Sequence, residues 1–370
     1  MQLQEFQLER YFAKYEFTAP HLLCCSDCES FSVGELLQLE QGAQEALLSL
    51  RLGYTESLGS LELRTEISSL YTKSSAENII VHSGAEEPIF NFMNVALKPG
   101  DEIIVHSPSY QSLCEVARSI GAKVIEWQGD SKNSWLLDLD FLKGVLTDKT
   151  RVVVINFPHN PTGALPAPEF MHELSRLSDN HGFIVFSDEV YRGLEYDADL
   201  RLPAFADLNE SSVSLGVMSK TYGLPGLRIG WITTRNKNLF NKLAAFKDYT
   251  TICNSAPSEF LATLALKHRD DIVERNLNII RKNLNILNPF FNNHADLFGW
   301  LEPQAGPIAF PEYFEGSVAD FCKQLVQDTG VLLLPGTLYG GEYNCFRIGF
   351  GRENMADCVS RLEQFIEGSG

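Results

Sequence analysis

The sequence predicts an α/β protein, with a mostly parallel sheet sandwiched by helices in a large domain and a smaller α+β domain attached. Three observations carry that expectation. Seven short apolar runs, at residues 78–82, 102–106, 123–127, 151–156, 183–187, 213–217 and 228–233, lack the polar-apolar alternation of a half-exposed strand, as strands buried on both faces do. Segments with helical spacing, at 87–97, 111–120 and 169–181, lie between several of these runs, the strand–helix alternation of parallel sheets. The chain has 370 residues, enough for one large core and a satellite.

Taken in order, residues 1–44 read as an N-terminal arm and part of the small domain. Phe6, Leu8, Tyr11, Phe12 and Tyr15 mark one amphipathic helix, followed by a loop that belongs with neither sheet by sequence alone. Residues 45–265 hold the seven apolar runs and form the large domain. A long helical stretch from about 255 to 292, read as one uninterrupted helix, joins it to the small domain, 266–370. There the pattern changes to short strands and helices at 305–310, 318–329, 331–334, 345–350 and 355–366.

Composition excludes several classes of function. A hydrophobic fraction of 44% without low complexity rules out an obligately disordered chain. The 48 acidic residues against 30 basic ones give a net charge of −18, which repels nucleic-acid phosphates and anionic lipid. No run approaches the roughly 18 apolar residues of a membrane span. The first residues carry charges throughout and have no signal-peptide core, so the expected location is cytoplasmic. Of eight cysteines only Cys24, Cys25 and Cys28 cluster, with no second pair at zinc-ligand spacing. They are read as reduced thiols, and no metal is expected.

Five segments place unusual residues at strand ends, where open α/β sheets bind ligands. Ser83-Gly84-Ala85 closes the first run and opens a helix; it is either a tight turn or an anion-binding helix start. Asn160-Pro161-Thr162-Gly163 is a polar loop or a hydrogen-bonding edge. Asp188, in Ser187-Asp188-Glu189-Val190-Tyr191, ends a buried strand and calls for a cationic partner, from a salt bridge or from a ligand. Ser219-Lys220 follows an apolar run, and Arg228 begins another. A lysine at such a strand end is either solvated or desolvated into a nucleophile toward carbonyls. Arg347, between Phe346 and Ile348, suits capture of a carboxylate or an internal ion pair.

In order and spacing these segments resemble the class I/II aminotransferases, fold-type-I enzymes that depend on pyridoxal 5′-phosphate. The resemblance runs from about Tyr54 to Arg352. It implies that Lys220 holds the cofactor as a Schiff base and then shuttles the substrate's Cα proton, leading through a ketimine. Asp188 pairs with the pyridine nitrogen, while Asn160 and Tyr191 bond the phenolic oxygen. Tyr110 stacks on the ring. Gly84, Ala85, Ser219 and Arg228 bind the phosphate. Tyr54 matches the position that reaches the phosphate of a partner subunit, implying a homodimer with shared active sites. Arg347, with Asn160, holds the substrate carboxylate, and its place in the small domain implies closure over the site.

Three positions depart from the family pattern. Val217 stands where a phosphate-binding hydroxyl is common. Glu86 and Glu87 follow the phosphate loop, so a carboxylate there must turn away from the phosphate or repel it. The segment Leu23-Cys24-Cys25-Ser26-Asp27-Cys28 replaces a Gly-containing turn. The reaction implied is amino transfer between an L-amino acid and a 2-oxoacid. The alternative is β-elimination or cyclisation, as in enzymes resembling capreomycidine synthase. A sensing regulator without turnover is disfavoured by the acidic charge and by the full set of core residues. Net charge leans toward a cationic amino acid, subject to the charge of the pocket itself. Phe17, Leu22 and Tyr339 either line an apolar pocket or pack the small domain, and packing is the expectation.

Overall fold

A computed structural model describes residues 2–368. All seven expected strands form, as β2 (Ile79–His82), β3 (Glu102–Ser107), β4 (Lys123–Gln128), β5 (Thr150–Asn156), β6 (Ile184–Asp188), β7 (Val213–Val217) and β8 (Gly230–Thr233). They follow β1 (His21–Leu22) of the arm. The seven make one sheet in the order β2-β8-β7-β6-β5-β3-β4, parallel except for β8. The apolar runs are explained by two cores. Val152 and Val154 of β5 face one hydrophobic cluster, whereas Val153 and Ile155 face another on the opposite side. A strand covered on both faces has no position for a polar alternation.

The covering helices include Glu86–Ala96, Ser112–Ile120 and Pro168–His181, each where helical spacing places one. The last begins on Pro168 and stops at Gly182 with φ +75°, a residue order that starts and ends helices at least cost.

The small sheets come from β9 (Phe298–Gly299), β10 (Ile308–Ala309), β11 (Glu312–Tyr313), β12 (Val331–Leu332), β13 (Leu334–Pro335) and β14 (Phe346–Gly349). Strand β14 lies between β10 and β13, antiparallel to both, and carries Arg347.

Two expectations need correction. The stretch 255–292 is two helices, Ala256–Lys267 and Arg269–Asn293, broken at His268; Pro257 lies at the start of the first and Pro289 within the second. The arm, whose sheet the sequence left open, pairs His21–Leu22 in parallel with Val331–Leu332. Two-residue strands leave too little pattern to read. Leu22 and Tyr339 pack in a cluster with Leu8, Phe310 and Leu332 as expected, but Phe17 is 90% exposed and packs nothing.

The arm is stitched to β14 over its next residues. The Gly349 amide donates to the Leu23 carbonyl at 2.9 Å, and a Cβ at Gly349 would overlap the Cys25 carbonyl oxygen. Gly349→Ala should therefore lower stability by about 1–3 kcal/mol through overpacking. Urea denaturation measures this, and an unchanged midpoint would mean that the arm shifts without cost.

Candidate active site

The carboxyl ends of β2, β5, β6 and β7 lie at one edge of the sheet, followed by Ser83-Gly84-Ala85, the 156–163 loop, Asp188 itself and Ser219-Lys220. Because β8 runs the other way, its first residue pairs with the last residues of both β2 and β7, as His82↔Gly230 and Val217↔Gly230. The one reversed strand thus delivers Arg228 to the same edge. Arg228 sits in the left-handed region at φ +50°, and its Nη1 donates to Pro225 O at 2.9 Å. A side chain on Gly84, itself at φ +72°, would run into the Arg228 guanidinium.

A cavity of about 620 Å³ opens at this edge. Of the residues singled out in the sequence, Ala85, Tyr110, Asn160, Asp188, Tyr191, Ser219, Lys220, Arg228 and Arg347 line it. Gly84 stands behind, against Arg228. Tyr54 is not brought to the cavity and is 94% exposed.

Asp188 is buried at 6% exposure, and Val190 N–H is the hydrogen bond its carboxylate accepts, at 3.3 Å. The cationic side chain expected beside it is absent: among the described residues, no Lys, Arg or His reaches ion-pair distance. Burial raises its pKa to about 7, opposed by that amide and by the charge of Lys220. The Lys220 ammonium donates to Ser26 Oγ at 2.7 Å. Burial lowers the Lys220 pKa, aided by Arg347 and opposed by Asp27, so the neutral amine is easier to reach. The Tyr191 hydroxyl is buried without a hydrogen-bond partner; Ser26 stands near it but outside bonding geometry.

Arg347, 2% exposed, meets no carboxylate among the described residues. Its Nε and Nη2 both donate to the Cys24 carbonyl, at 3.0 and 2.9 Å. Its Nη1 donates to Tyr339 Oη at 3.0 Å and to Asn160 Oδ1 at 3.3 Å, and Tyr339 also donates to Asn160 Oδ1 at 3.0 Å. The internal ion pair is thereby excluded, and the positive charge remains available.

The departures resolve individually. Val217 lines the cavity as an apolar wall. Glu87 turns back, accepting Ser83 N–H at 2.6 Å and the Thr251 hydroxyl at 2.7 Å, so it braces the turn. Glu86 lines the cavity, accepts the Ser112 hydroxyl at 3.1 Å and has its pKa raised by burial. The arm segment supplies Cys25, Ser26 and Asp27 as cavity wall. Sequence reading missed Ser26 under Lys220, the Cys24 carbonyl under Arg347, and Glu9, which accepts the Tyr110 hydroxyl at 2.9 Å. No local signal marks them, because their partners lie 101 to 323 residues away.

Residues 27–362 match the family described as aminotransferase class I and II. Capreomycidine synthase of Streptomyces vinaceus is 32% identical over 353 residues, spanning 94% of this chain and 88% of that protein. The crystal structure of a PLP-dependent aminotransferase from Streptococcus suis 89-1591 is similar at TM-score 0.94 and 31% identity, over 99% of this chain and 98% of that one. The crystal structure of the PLP-dependent cyclase OrfR is similar at TM-score 0.89 and 26% identity, over 100% and 99%.

The unpaired Asp188 makes a prediction of its own. Its folded pKa of about 7 lies above the ordinary 3.8, so between these values the native state keeps a proton that the unfolded chain releases. This contribution to stability falls as pH rises from about 4 to about 7. Asp188→Asn removes it, and the melting temperature of the cofactor-free variant should drop less than that of the parent between pH 5 and pH 8. Equal drops in thermal melts would show that the carboxylate is not strained by burial.

Proposed function

Because this chain belongs to the class I and II aminotransferases, we propose that it moves the amino group of an L-amino acid to a 2-oxoacid, as a cytoplasmic homodimer. It is an enzyme that depends on pyridoxal 5′-phosphate. The observation that carries the reading is the meeting in one cavity of a buried carboxylate without a cation, a desolvated amine and a guanidinium without a carboxylate.

The residues fit that cofactor. Among the described residues, Asp188 has no cation at ion-pair distance, and the Tyr191 hydroxyl makes no hydrogen bond. The Ser83-Gly84-Ala85 turn presents amides at the start of a helix, with Arg228 against Gly84. A protonated pyridine nitrogen, a phenolic oxygen and a phosphate are the complementary groups. When bound, pyridoxal phosphate supplies a carbonyl carbon that takes up the substrate amine and a ring that accepts the electrons released at Cα.

The chain's own groups do the rest. Asp188 would keep a proton on the ring nitrogen, since a carboxylate this buried is stabilised by a cation against it. Tyr191 and the Asn160 amide would donate to the phenolic oxygen; Asn160 has its nitrogen free for this because its oxygen is taken by Tyr339 and Arg347. Tyr110 would cover a ring face. Ser219, Arg228, Gly84 and Ala85 would hold the phosphate with one donor fewer than usual at Val217. Lys220 Nζ, oriented by Ser26, would take the Cα proton and return it. Arg347 would hold the α-carboxylate.

A homodimer is supported by an apolar surface on two adjacent segments. Leu48, Leu52 and Tyr54 are 78–94% exposed, as is Tyr249 at 90%. Thr55 donates to the Asn254 carbonyl at 3.1 Å and so links the two segments. A partner covering this surface would bring Tyr54 to the other phosphate site. The cytoplasmic location is supported by eight free cysteines. Among the described residues no helix is long and apolar enough to cross a membrane.

A second reading, β-elimination or cyclisation by the same residues, is supported by the likeness to capreomycidine synthase and to the cyclase OrfR. The product decides between them. An accepted amino acid should change the visible band of the bound cofactor and release its 2-oxoacid. Free ammonia with an oxoacid that has lost the β-substituent, or a ring-closed amino acid, would establish the second reading instead.

Three variants test the assignments. Lys220→Ala should reduce turnover by at least about 10²–10⁴-fold; retained turnover would remove Lys220 from its role. Arg347→Ala should raise KM about 10–100-fold for amino acids, but little for the corresponding amines, which lack the carboxylate. Equal effects on both would make Arg347 structural. Sedimentation should find twice the 41.4 kDa chain mass, and Tyr54→Ala should weaken phosphate retention in that dimer.

A further inference from the structure

Resting on the reading above, the charges of the cavity can be assigned by subtraction. Asp188, Lys220 and Arg228 serve the cofactor, and Arg347 serves the substrate α-carboxylate. One cation then remains in the lining, Arg352. It is taken by Asp27, through Nε to Oδ1 at 3.2 Å and Nη2 to Oδ2 at 2.9 Å. Three carboxylates are left without a cation: Glu9, Glu16 and Glu86. Two of these are satisfied by hydroxyls, Glu9 by Tyr110 and Glu86 by Ser112. Among the described residues, Glu16 makes neither a hydrogen bond nor an ion pair through its side chain.

The position of Glu16 sharpens the point. It caps the C-terminus of the helix Gln7–Tyr15, where the helix dipole already disfavours a negative charge. It is half-buried, and burial raises its pKa despite the attraction of Arg352 and Lys220. Glu9 lies two turns earlier on the same helix, and Phe6 and Phe12 line the cavity with it. An apolar sleeve that ends in carboxylates matches a side chain with methylenes and a terminal cation. A side-chain carboxylate would instead meet three like charges, and the one remaining guanidinium is engaged with Asp27.

We infer that the amino acid taken by this site carries a cation at the end of its side chain, a guanidinium or an ammonium, and that Glu16, supported by Glu9, receives it.

The test is a titration of the visible band of the holoenzyme with L-arginine, L-lysine, L-norleucine and L-aspartate. Arginine or lysine should half-saturate the change at a concentration about tenfold or more below norleucine, a cation-assisted hydrogen bond's worth of preference. In Glu16→Gln that ratio should fall toward one, and Glu9→Gln should lower it less. Glu16→Lys should reverse the order in favour of aspartate. Norleucine or aspartate matching the basic amino acids, or a ratio unchanged in Glu16→Gln, overturns the inference while leaving amino transfer in place. No response to any amino acid overturns both.

Discussion

Arg347 is a guanidinium in the interior with no anion among the described residues to neutralise it, and much of the architecture makes that tolerable. Its hydrogen bonds come from three separate regions of the chain: the arm through the Cys24 carbonyl, the loop after β5 through Asn160, and Tyr339 of the small sheets. Each neutral acceptor stabilises the charge without cancelling it. The positive charge therefore remains in the lining of the cavity, and the same cation ties arm, small sheet and large sheet together.

The opposite problem is met by Asp188 in the same cavity. Asp188 is carried inward by β6 at the centre of a sheet covered on both faces, and it finds one backbone amide instead of a cation. Lys220 follows β7 next to it and is made less basic by the same burial. In one cavity, a carboxylate raised toward neutrality and an amine lowered from its usual range are what burial does to opposite charges. The reversal of β8 completes the edge, because an antiparallel strand begins where its neighbours end.

Much of this was legible in the chain. The seven strands appear within a residue or two of their apolar runs, since burial on both faces leaves a continuous hydrophobic signature. Lys220, Asp188 and Arg347 were identifiable because charge at the end of, or inside, an apolar run is costly and needs a reason. The helix break at His268 was not legible, because the apolar stripe continues across it. Nor was the pairing of the arm with β12, where two residues make no pattern. The cationic partner sought for Asp188 is supplied by no described side chain; its carboxylate accepts the Val190 amide instead.

By itself, the sequence determined the α/β class, the order of strands and helices, and the charged residues at strand ends, because each of these is a local pattern of period, polarity or turn chemistry. Only the tertiary structure decided which of those charges are paired. Ser26 reaches Lys220 across 194 residues, and the Cys24 carbonyl reaches Arg347 across 323. It likewise showed that Arg352 is engaged with Asp27, while the Glu16 side chain makes no hydrogen bond or ion pair among the described residues. Pairing depends on distance and desolvation in the packed state, and neither is written in any short stretch of chain.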